Sequence, residues 1–247
     1  MEYKQMAYVY DKFMAEAPYD KWIQFTLERL KNKKIKTIAD LGCGTGEITV
    51  RLAEEGFQMI GVDFSMDMLS YAEHKASNKN VPITWLHQNL QELEGLNDLD
   101  VAISYCDVIN YITEEDNLKN VFQRIYQSLK KDGVFIFDVH SIYHVEQNYK
   151  NQTFADVMED VSYIWFCLEG ETIGDMYHDL TFFALDGDKY IRFDEIHHQR
   201  TYSIDFYKKL LYEIGFHHVQ VYADFRLEEE NITSDSERIF FVAERCE

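Results

Sequence analysis

The chain of 247 residues carries 24 lysines and arginines against 44 aspartates and glutamates, a formal net charge of −20. Its length suits one α/β domain with an elaboration, and 46% hydrophobic residues suffice for a full core. That charge opposes binding to nucleic acid or to an anionic membrane, each of which needs a basic face. The densest basic cluster, Lys31-Asn32-Lys33-Lys34, reads as a solvated helix end. Cys43, Cys106, Cys167 and Cys246 form no C-x-x-C pair and no secretory signal is visible, so reduced thiols in a cytoplasmic protein are expected. No apolar run approaches the ~20 residues that cross a bilayer.

Tyr3 to Lys31 has helical spacing at Trp22, Phe25, Leu27 and Leu30, with Pro18 breaking the stretch. Ile35–Leu41 reads as a first strand and Glu47–Glu55 as a helix stopped by Gly56. Gln58–Asp63 is a second strand, Ser65 an N-cap, and Met68, Leu69 and Ala72 the buried side of the helix it starts. Thr84–His87 and Asp100–Tyr105 are the third and fourth strands, Asn117–Leu129 a helix and Gly133–Val139 a fifth strand. This alternation predicts βαβ units and a parallel sheet with right-handed crossovers. From Ser162 to Tyr202 strand-like runs follow one another, and Asp186-Gly187 signals a hairpin, so an antiparallel β cap is expected after strand five. A helix from Ser203 to Ile214 and two strands, Phe216–Tyr222 and Ile239–Glu244, complete the pattern, the strands as an antiparallel pair at the sheet end.

The run Ile38-Ala39-Asp40-Leu41-Gly42-Cys43-Gly44-Thr45-Gly46 is a strand that breaks into a glycine turn and opens a helix. Three glycines in five positions leave bare main chain for close approach of a ligand, and the helix N-terminus adds free N–H donors. Asp63, about 20 residues on, stands where a carboxylate can accept both hydroxyls of a ribose. Dinucleotide enzymes favour G-x-G-x-x-G; Gly42-x-Gly44-x-Gly46 is one residue shorter. Asp40 to Gly46 and Gly61-Val62-Asp63-Phe64-Ser65, with Met68-Leu69 and Ala72, resemble the first two motifs of the class I S-adenosylmethionine-dependent methyltransferases. The likeness spans roughly residues 35–140 and 203–245. Tyr105-Cys106-Asp107-Val108-Ile109-Asn110-Tyr111, Ala7-x-x-Tyr10-Asp11-x-Phe13-Met14 and Tyr19-Asp20-x-Trp22 are similar to a subgroup of small-molecule methyltransferases that includes the YqeM-type proteins.

The resemblance implies a Rossmann-like seven-stranded sheet with helices on both faces, formed by residues 1–144 and 203–247. Residues 1–31 would be an N-terminal helical lid, and 145–202 an inserted cap over the acceptor. It implies S-adenosylmethionine as donor and S-adenosylhomocysteine as product. Asp40, Gly42, Cys43, Gly44 and Gly46 would contact the methionine moiety and ribose, and Asp63 would hold the ribose hydroxyls. Phe64 and Met68 would pack on adenine, with Asn89 and Leu90 at its amino edge; many relatives have Asp where this chain has Asn89. Tyr3 and Trp22 would close over the methionine end, and Tyr105 and Cys106 would meet the cofactor at the sheet edge beside the reactive methyl. The bland alternatives are a core anchor for Trp22, core packing for Met68 and a small turn filler for Cys43.

Methyl transfer from a sulfonium is an in-line displacement, so the protein mainly aligns the acceptor and excludes water. By the same resemblance Tyr10 is the expected acceptor-side aromatic; Asp107 is the candidate acceptor-facing carboxylate, against a role in capping the next turn or binding backbone. Asn110 is a second polar candidate. Strand alternation sends Glu195, His197 and Gln199 to one face, which makes His197 or Arg200 a possible acceptor contact, against a solvated strand edge. His140 and His144 have metal spacing if helical, but no third ligand is obvious and no metal is expected. The leading expectation is methyl transfer to a small molecule, with nucleic acid disfavoured by the charge. A module that binds the cofactor without chemistry, an RNA or protein methyltransferase, and a nicotinamide oxidoreductase are the competing readings. Composition leaves the oligomeric state and the acceptor atom open.

Overall fold

In the computed structural model, which describes residues 9–229 and 231–246, helical residues 9–13 precede α1 (Tyr19–Leu30). Pro18 separates the two helical stretches, as its missing N–H requires. β1 (Thr37–Leu41) sends Ala39 and Leu41 into one core cluster and Ile38 into the other. It is apolar on both faces because helices cover both. α2 (Glu47–Glu54) buries Ile48, Val50 and Leu52. It is followed by β2 (Gln58–Asp63) and α3 (Met66–Lys79). Ser65 caps α3 by accepting from the Met68 N–H at 3.3 Å, and Leu69, Ala72 and Ala76 form its buried stripe.

β3 (Ile83–His87), β4 (Leu99–Ser104), α4 (Glu115–Ser128) and β5 (Leu129–His140) continue the alternation. β5 starts four residues before the expected Gly133, and its pairing with β4 shifts register between Leu99 and Val101. A four-stranded antiparallel sheet follows: β6 (Thr153–Val157), β7 (Val161–Glu169), β8 (Asp175–Asp186) and β9 (Lys189–Arg200). Asp186 pairs with Lys189 across the turn at Gly187 (φ +67°), the hairpin that the Asp-Gly pair signalled. α5 (Ile204–Ile214) ends at Gly215 and leads to β10 (Phe216–Ala223) and β11 (Arg238–Arg245).

The main sheet runs β3-β2-β1-β4-β5-β11-β10. Its first five strands are parallel, and β11 pairs antiparallel with both β5 and β10. The expected terminal antiparallel pair is present, with the last strand inserted between β5 and β10. α4 and α5 cover one face around Phe122, Phe135 and Phe241, and α1 and α2 cover the other around Phe25, Leu52 and Phe240. Each fully buried side chain of this kind contributes about 1.5–3 kcal/mol of apolar burial. A third cluster joins Val9, Tyr10 and Phe13 to the inner face of the second sheet at Val161, Leu180, Phe182 and Phe193. The strand order reverses between β1 and β4, so the crevice at their carboxyl ends is where such a sheet receives a ligand.

Candidate functional site

That crevice is built from the glycine turn outward. Gly42, Gly44 and Gly46 all have left-handed backbone (φ +81°, +53° and +75°). The Gly42 and Cys43 N–H groups are anchored on the Val62 carbonyl at 2.8 and 3.0 Å. A Cβ on Gly42 would lie 2.4 Å from Val108, whereas one on Gly44 would meet nothing within 4 Å. The first glycine is therefore required by the fold, and the second borders open space that a Cβ would begin to fill.

Asp63, at the end of β2, accepts the Gly44 N–H on Oδ2 and the Ser65 N–H on Oδ1, both at 2.8 Å. A carboxylate has about four acceptor sites, so each oxygen keeps a lone pair for a ligand hydroxyl. Burial raises its carboxyl above the ordinary value, opposed by the backbone N–H groups that favour the charged form. Asp40 is more deeply enclosed: burial pushes its carboxyl up to about 7 although Thr49 donates to it at 2.6 Å. A cleft of about 390 Å³, open mouth included, is lined by Asp40, Gly42, Cys43, Gly44, Tyr105, Cys106 and Tyr10 from the expected set, and by Tyr19, Thr45, Glu47, Ile48 and Val108. Burial pushes the Cys43 and Cys106 thiols up, so neither is a ready nucleophile.

At the outer end, Phe64 is 66% exposed and Met68 packs partly buried against the cluster that joins the N-terminal segment to the second sheet. Asn89 is exposed and its Oδ1 accepts the Gln91 N–H at 2.9 Å, while Leu90 packs against the main core. Tyr3 lies outside the described residues. Trp22 is 3% exposed in the core; its Nε1 donates to Asp138 at 2.7 Å and its ring meets Phe225 edge-on. It is absent from the cleft lining, the anchor position that was its bland alternative.

Cys106 and Asp107, where β4 gives way to the next turn, both have left-handed backbone (φ 56° and 54°). The Asp107 N–H is held by Asp138 Oδ1 at 2.9 Å. Its carboxylate receives the Gln199 amide at 2.9 Å and the Arg238 guanidinium at 3.1 Å, and stands 3.3 Å from His140 Nε2. Burial disfavours that charge, but His140, Arg238 and Gln199 outweigh it and hold the Asp107 carboxyl well below the usual range. Arg238 also reaches Asp138 at 2.9 Å, so one guanidinium serves two buried carboxylates. Beyond Gln199, His178 has a fixed tautomer. Its Nδ1 takes the Trp165 N–H at 2.9 Å, so Nε2 carries the proton and donates to Gln199 Oε1 at 3.0 Å. Burial lowers the His178 imidazole to about 4.

Asn110 is fully buried and ties three segments together: it accepts the His140 N–H and donates to the Arg200 carbonyl. His197 lies on the same face of β9 as Gln199, half-buried, with its ring edge-on to Tyr111 at 5.7 Å. Arg200 has the opposite parity and stacks over Tyr202 at 4.5 Å. His140 ends β5 and His144 opens a separate single turn, so the two do not share a helix; among the described residues no His, Cys, Asp or Glu group is arranged to hold a metal. Arg238, Asp138 and His178 escaped the sequence reading, and Gln199 entered it only as a residue on the face of Glu195 and His197. All four lie on strands that nothing local links to Asp107: β11 delivers Arg238 and β9 delivers Gln199.

Asp11 reaches from the N-terminal segment to the glycine turn. It accepts the Thr45 hydroxyl at 2.5 Å and pairs with Lys75 at 3.1 Å, and Lys75 also binds Glu47 at 2.7 Å. Its neighbour Lys12 pairs with Asp160 of the second sheet, and Phe13 meets Tyr163, Trp165 and Phe182. No helix among the described residues is long and apolar enough to cross a membrane.

Residues 38–133 match the family model described as a methyltransferase domain. Two relatives, each bearing the name "Putative methyltransferase", align end to end. One from Geobacillus sp. (strain WCH70) is 45% identical over 99% of this chain and 100% of its own length. The other, YqeM of Bacillus subtilis (strain 168), is 40% identical over 99% and 98%. The crystal structure of an S-adenosylmethionine-dependent methyltransferase from Clostridium acetobutylicum ATCC 824 superimposes with a TM-score of 0.89 and 29% identity, covering 100% of both chains. The glycine turn, the strand order and these likenesses agree: the chain belongs to the class I S-adenosylmethionine-dependent methyltransferases, in the group that contains YqeM.

Proposed function

We propose that the crevice binds S-adenosylmethionine and that methyl transfer goes to a small molecule held between the N-terminal segment and the second sheet. The carrying observation is the pairing of Asp63 with Gly44: a carboxylate with two free lone pairs beside a glycine that borders open space. Those features fit the donor's ribose diol and methionine end. Asp63 would hold the hydroxyls, Gly42 to Gly46 the adjoining chain, and Phe64, Met68, Asn89 and Leu90 the adenine. The bound donor supplies an activated methyl group; the protein's part is to orient the acceptor and exclude water.

Tyr10 lines the cleft and would face the acceptor, and residues 145–202, which pack on the N-terminal segment beside it, would cap that side. Asp107 has every oxygen engaged and a carboxyl held low, which supports a role in fixing the floor of the acceptor side through Gln199. A narrow crevice on a chain of net charge −20 favours a small acceptor over a polynucleotide. Four free cysteines fit a reducing compartment such as the cytoplasm.

Calorimetric titration of S-adenosylhomocysteine tests the donor assignment. Binding to the native chain is expected. Asp63→Ala should weaken it by about 100-fold or more, since two hydrogen bonds to a charged group at about 1.5–3 kcal/mol each are removed. Absence of heat with folded native protein refutes the reading.

A further inference from the structure

The glycine turn belongs to the main sheet, and a directed line of hydrogen bonds reaches towards it from the second sheet. An indole N–H can only donate, so Trp165 on β7 fixes the first link, to His178 Nδ1 at 2.9 Å. The imidazole proton therefore sits on Nε2 and is given to Gln199 Oε1 at 3.0 Å. With its oxygen turned to His178, the Gln199 amide presents its NH2 group to Asp107 and donates to Oδ2 at 2.9 Å. Reversing the amide would set donor against donor at His178 and acceptor against acceptor at Asp107. Gln199 is 2% exposed, so water does not replace either bond.

Asp107 is built into the cleft wall without lining the cleft. Its chain neighbours Cys106 and Val108 both line it, and Val108 stands against Gly42 of the glycine turn. The left-handed backbone at Cys106 and Asp107 persists only where outside bonds hold it. Three of the holders come from the main sheet: Asp138, which takes the Asp107 N–H, and His140 and Arg238, which flank its carboxylate. Gln199 is the holder that comes from the second sheet.

We infer that Gln199 is a positioning residue for donor binding. By holding Asp107 it sets the Cys106–Val108 wall against the glycine turn, so the docking of the second sheet controls affinity for S-adenosylmethionine and its product. This rests on the donor reading above and adds to it a link from outside the cleft. Coupling of this kind is reciprocal, so a donor in the cleft favours the docked sheet in turn. The titratable and charged groups that face Gln199 are His178 from β8, His197 from its own strand, and Tyr111 and Asp107 from the turn after β4, with His140 and Arg238 behind Asp107.

Calorimetric titration of S-adenosylhomocysteine into native chain and variants, each confirmed as folded by its thermal melt, tests the inference. Gln199→Leu keeps much of the volume and removes both bonds. It should weaken binding by about tenfold, within the range seen for residues that couple to a site without touching the ligand. Gln199→Glu supplies the rescue. Its ionised carboxylate faces Asp107 as a like charge, whereas its protonated form donates to Asp107 as the amide does. Burial and the Asp107 charge both favour that protonated form. Relative to native chain at the same pH, the Glu variant should bind about tenfold more weakly at pH 8.5 and within about threefold at pH 5.5. Thr181→Val removes a hydrogen bond to Asp194 on the outer face of the same sheet and should bind within about twofold of native. A residue that merely stabilised the second sheet would lower the melting temperature and leave the affinity of the folded chain, and its pH ratio, unmoved. Binding by Gln199→Leu within about twofold of native, a Glu variant whose ratio to native is the same at both pH values, or a loss in Thr181→Val equal to that in Gln199→Leu each overturns the role of Gln199 alone. A native chain that gives no heat overturns the donor reading and this inference with it.

Discussion

Arg238→Met is the sharpest probe of the polar cluster beneath the cleft. The guanidinium contacts Asp107 at 3.1 Å and Asp138 at 2.9 Å; Asp138 is fully buried, and the side chain of Asp107 is 18% exposed. Methionine keeps much of the volume and removes the charge, so two carboxylates lose their only shared cation. Breaking a buried pair from one side costs about 3–5 kcal/mol. For a chain of this size each kcal/mol moves the melting temperature by about 2–4 °C, so a fall of about 6–20 °C is expected at pH 8. Acidity should then close the gap. Burial already raises the Asp138 carboxyl, and without Arg238 it rises further, so the variant's Asp138 takes a proton in the folded state as the pH drops. Native Asp107 has the opposite sign: its folded carboxyl is depressed, so its contribution is present above the unfolded value near 3.9 and is lost only at lower pH. Thermal melts of both proteins at pH 8 and pH 5 make the comparison. A fall under about 3 °C at pH 8, or a gap that widens at pH 5, refutes the charge accounting.

Gly44→Ala should cost only about 1–2 kcal/mol of stability for the left-handed backbone, yet lower S-adenosylhomocysteine affinity at least about tenfold in calorimetry. Unchanged affinity means the open space beside Gly44 is not the donor's. Asp11→Asn removes the charge that ties the N-terminal segment to Lys75 beside the glycine turn, so stopped-flow dissociation of S-adenosylhomocysteine should quicken several-fold and lose its salt dependence. Equal rates in the two proteins would mean that the N-terminal segment does not gate the cleft. His178 titrates at about 4 in the folded chain and about 6.5 unfolded, so its contribution is complete above pH 6.5 and is lost as pH falls towards 4. Denaturant melts of His178→Gln should show a shallower loss of stability between pH 6.5 and 4 than native protein.

The geometry of the glycine turn and Asp63 was legible because its determinants are local. One strand, one turn and the next strand place Gly42, Gly44, Gly46 and Asp63 together, and backbone sterics dictate the glycines. Elements whose form depends on distant partners were read less well. Lys130-Lys131-Asp132 looks like a turn in sequence; β5 is continuous through it, but its β4 partners jump from Leu129 to Val134 and Asp132 has left-handed backbone (φ +61°), so the segment is a bulge in the ladder. β6 was missed because Thr153–Val157 sits at a sheet edge with little apolar alternation to betray it. The spacing of His140 and His144 carried no helical meaning once β5 extended to His140.

Asp107 shows why the other half of the candidate site is different. Its partners come from chain segments 92 and 131 residues further on. Insertion of β11 between β5 and β10 sets Arg238 opposite His140, and that register brings the guanidinium to Asp107. β9 brings Gln199 from the second sheet to the same carboxylate. Two consecutive left-handed residues at Cys106 and Asp107 cost free energy that persists only where surrounding bonds over-determine the backbone. Here the Asp138 bond to the Asp107 N–H and the grip on its carboxylate supply that constraint. The turn that walls the cleft and the docking of the second sheet thus share one carboxylate. Perturbing Asp107 moves both together, which is why its chemistry could not be separated from its structural role by reading the local sequence.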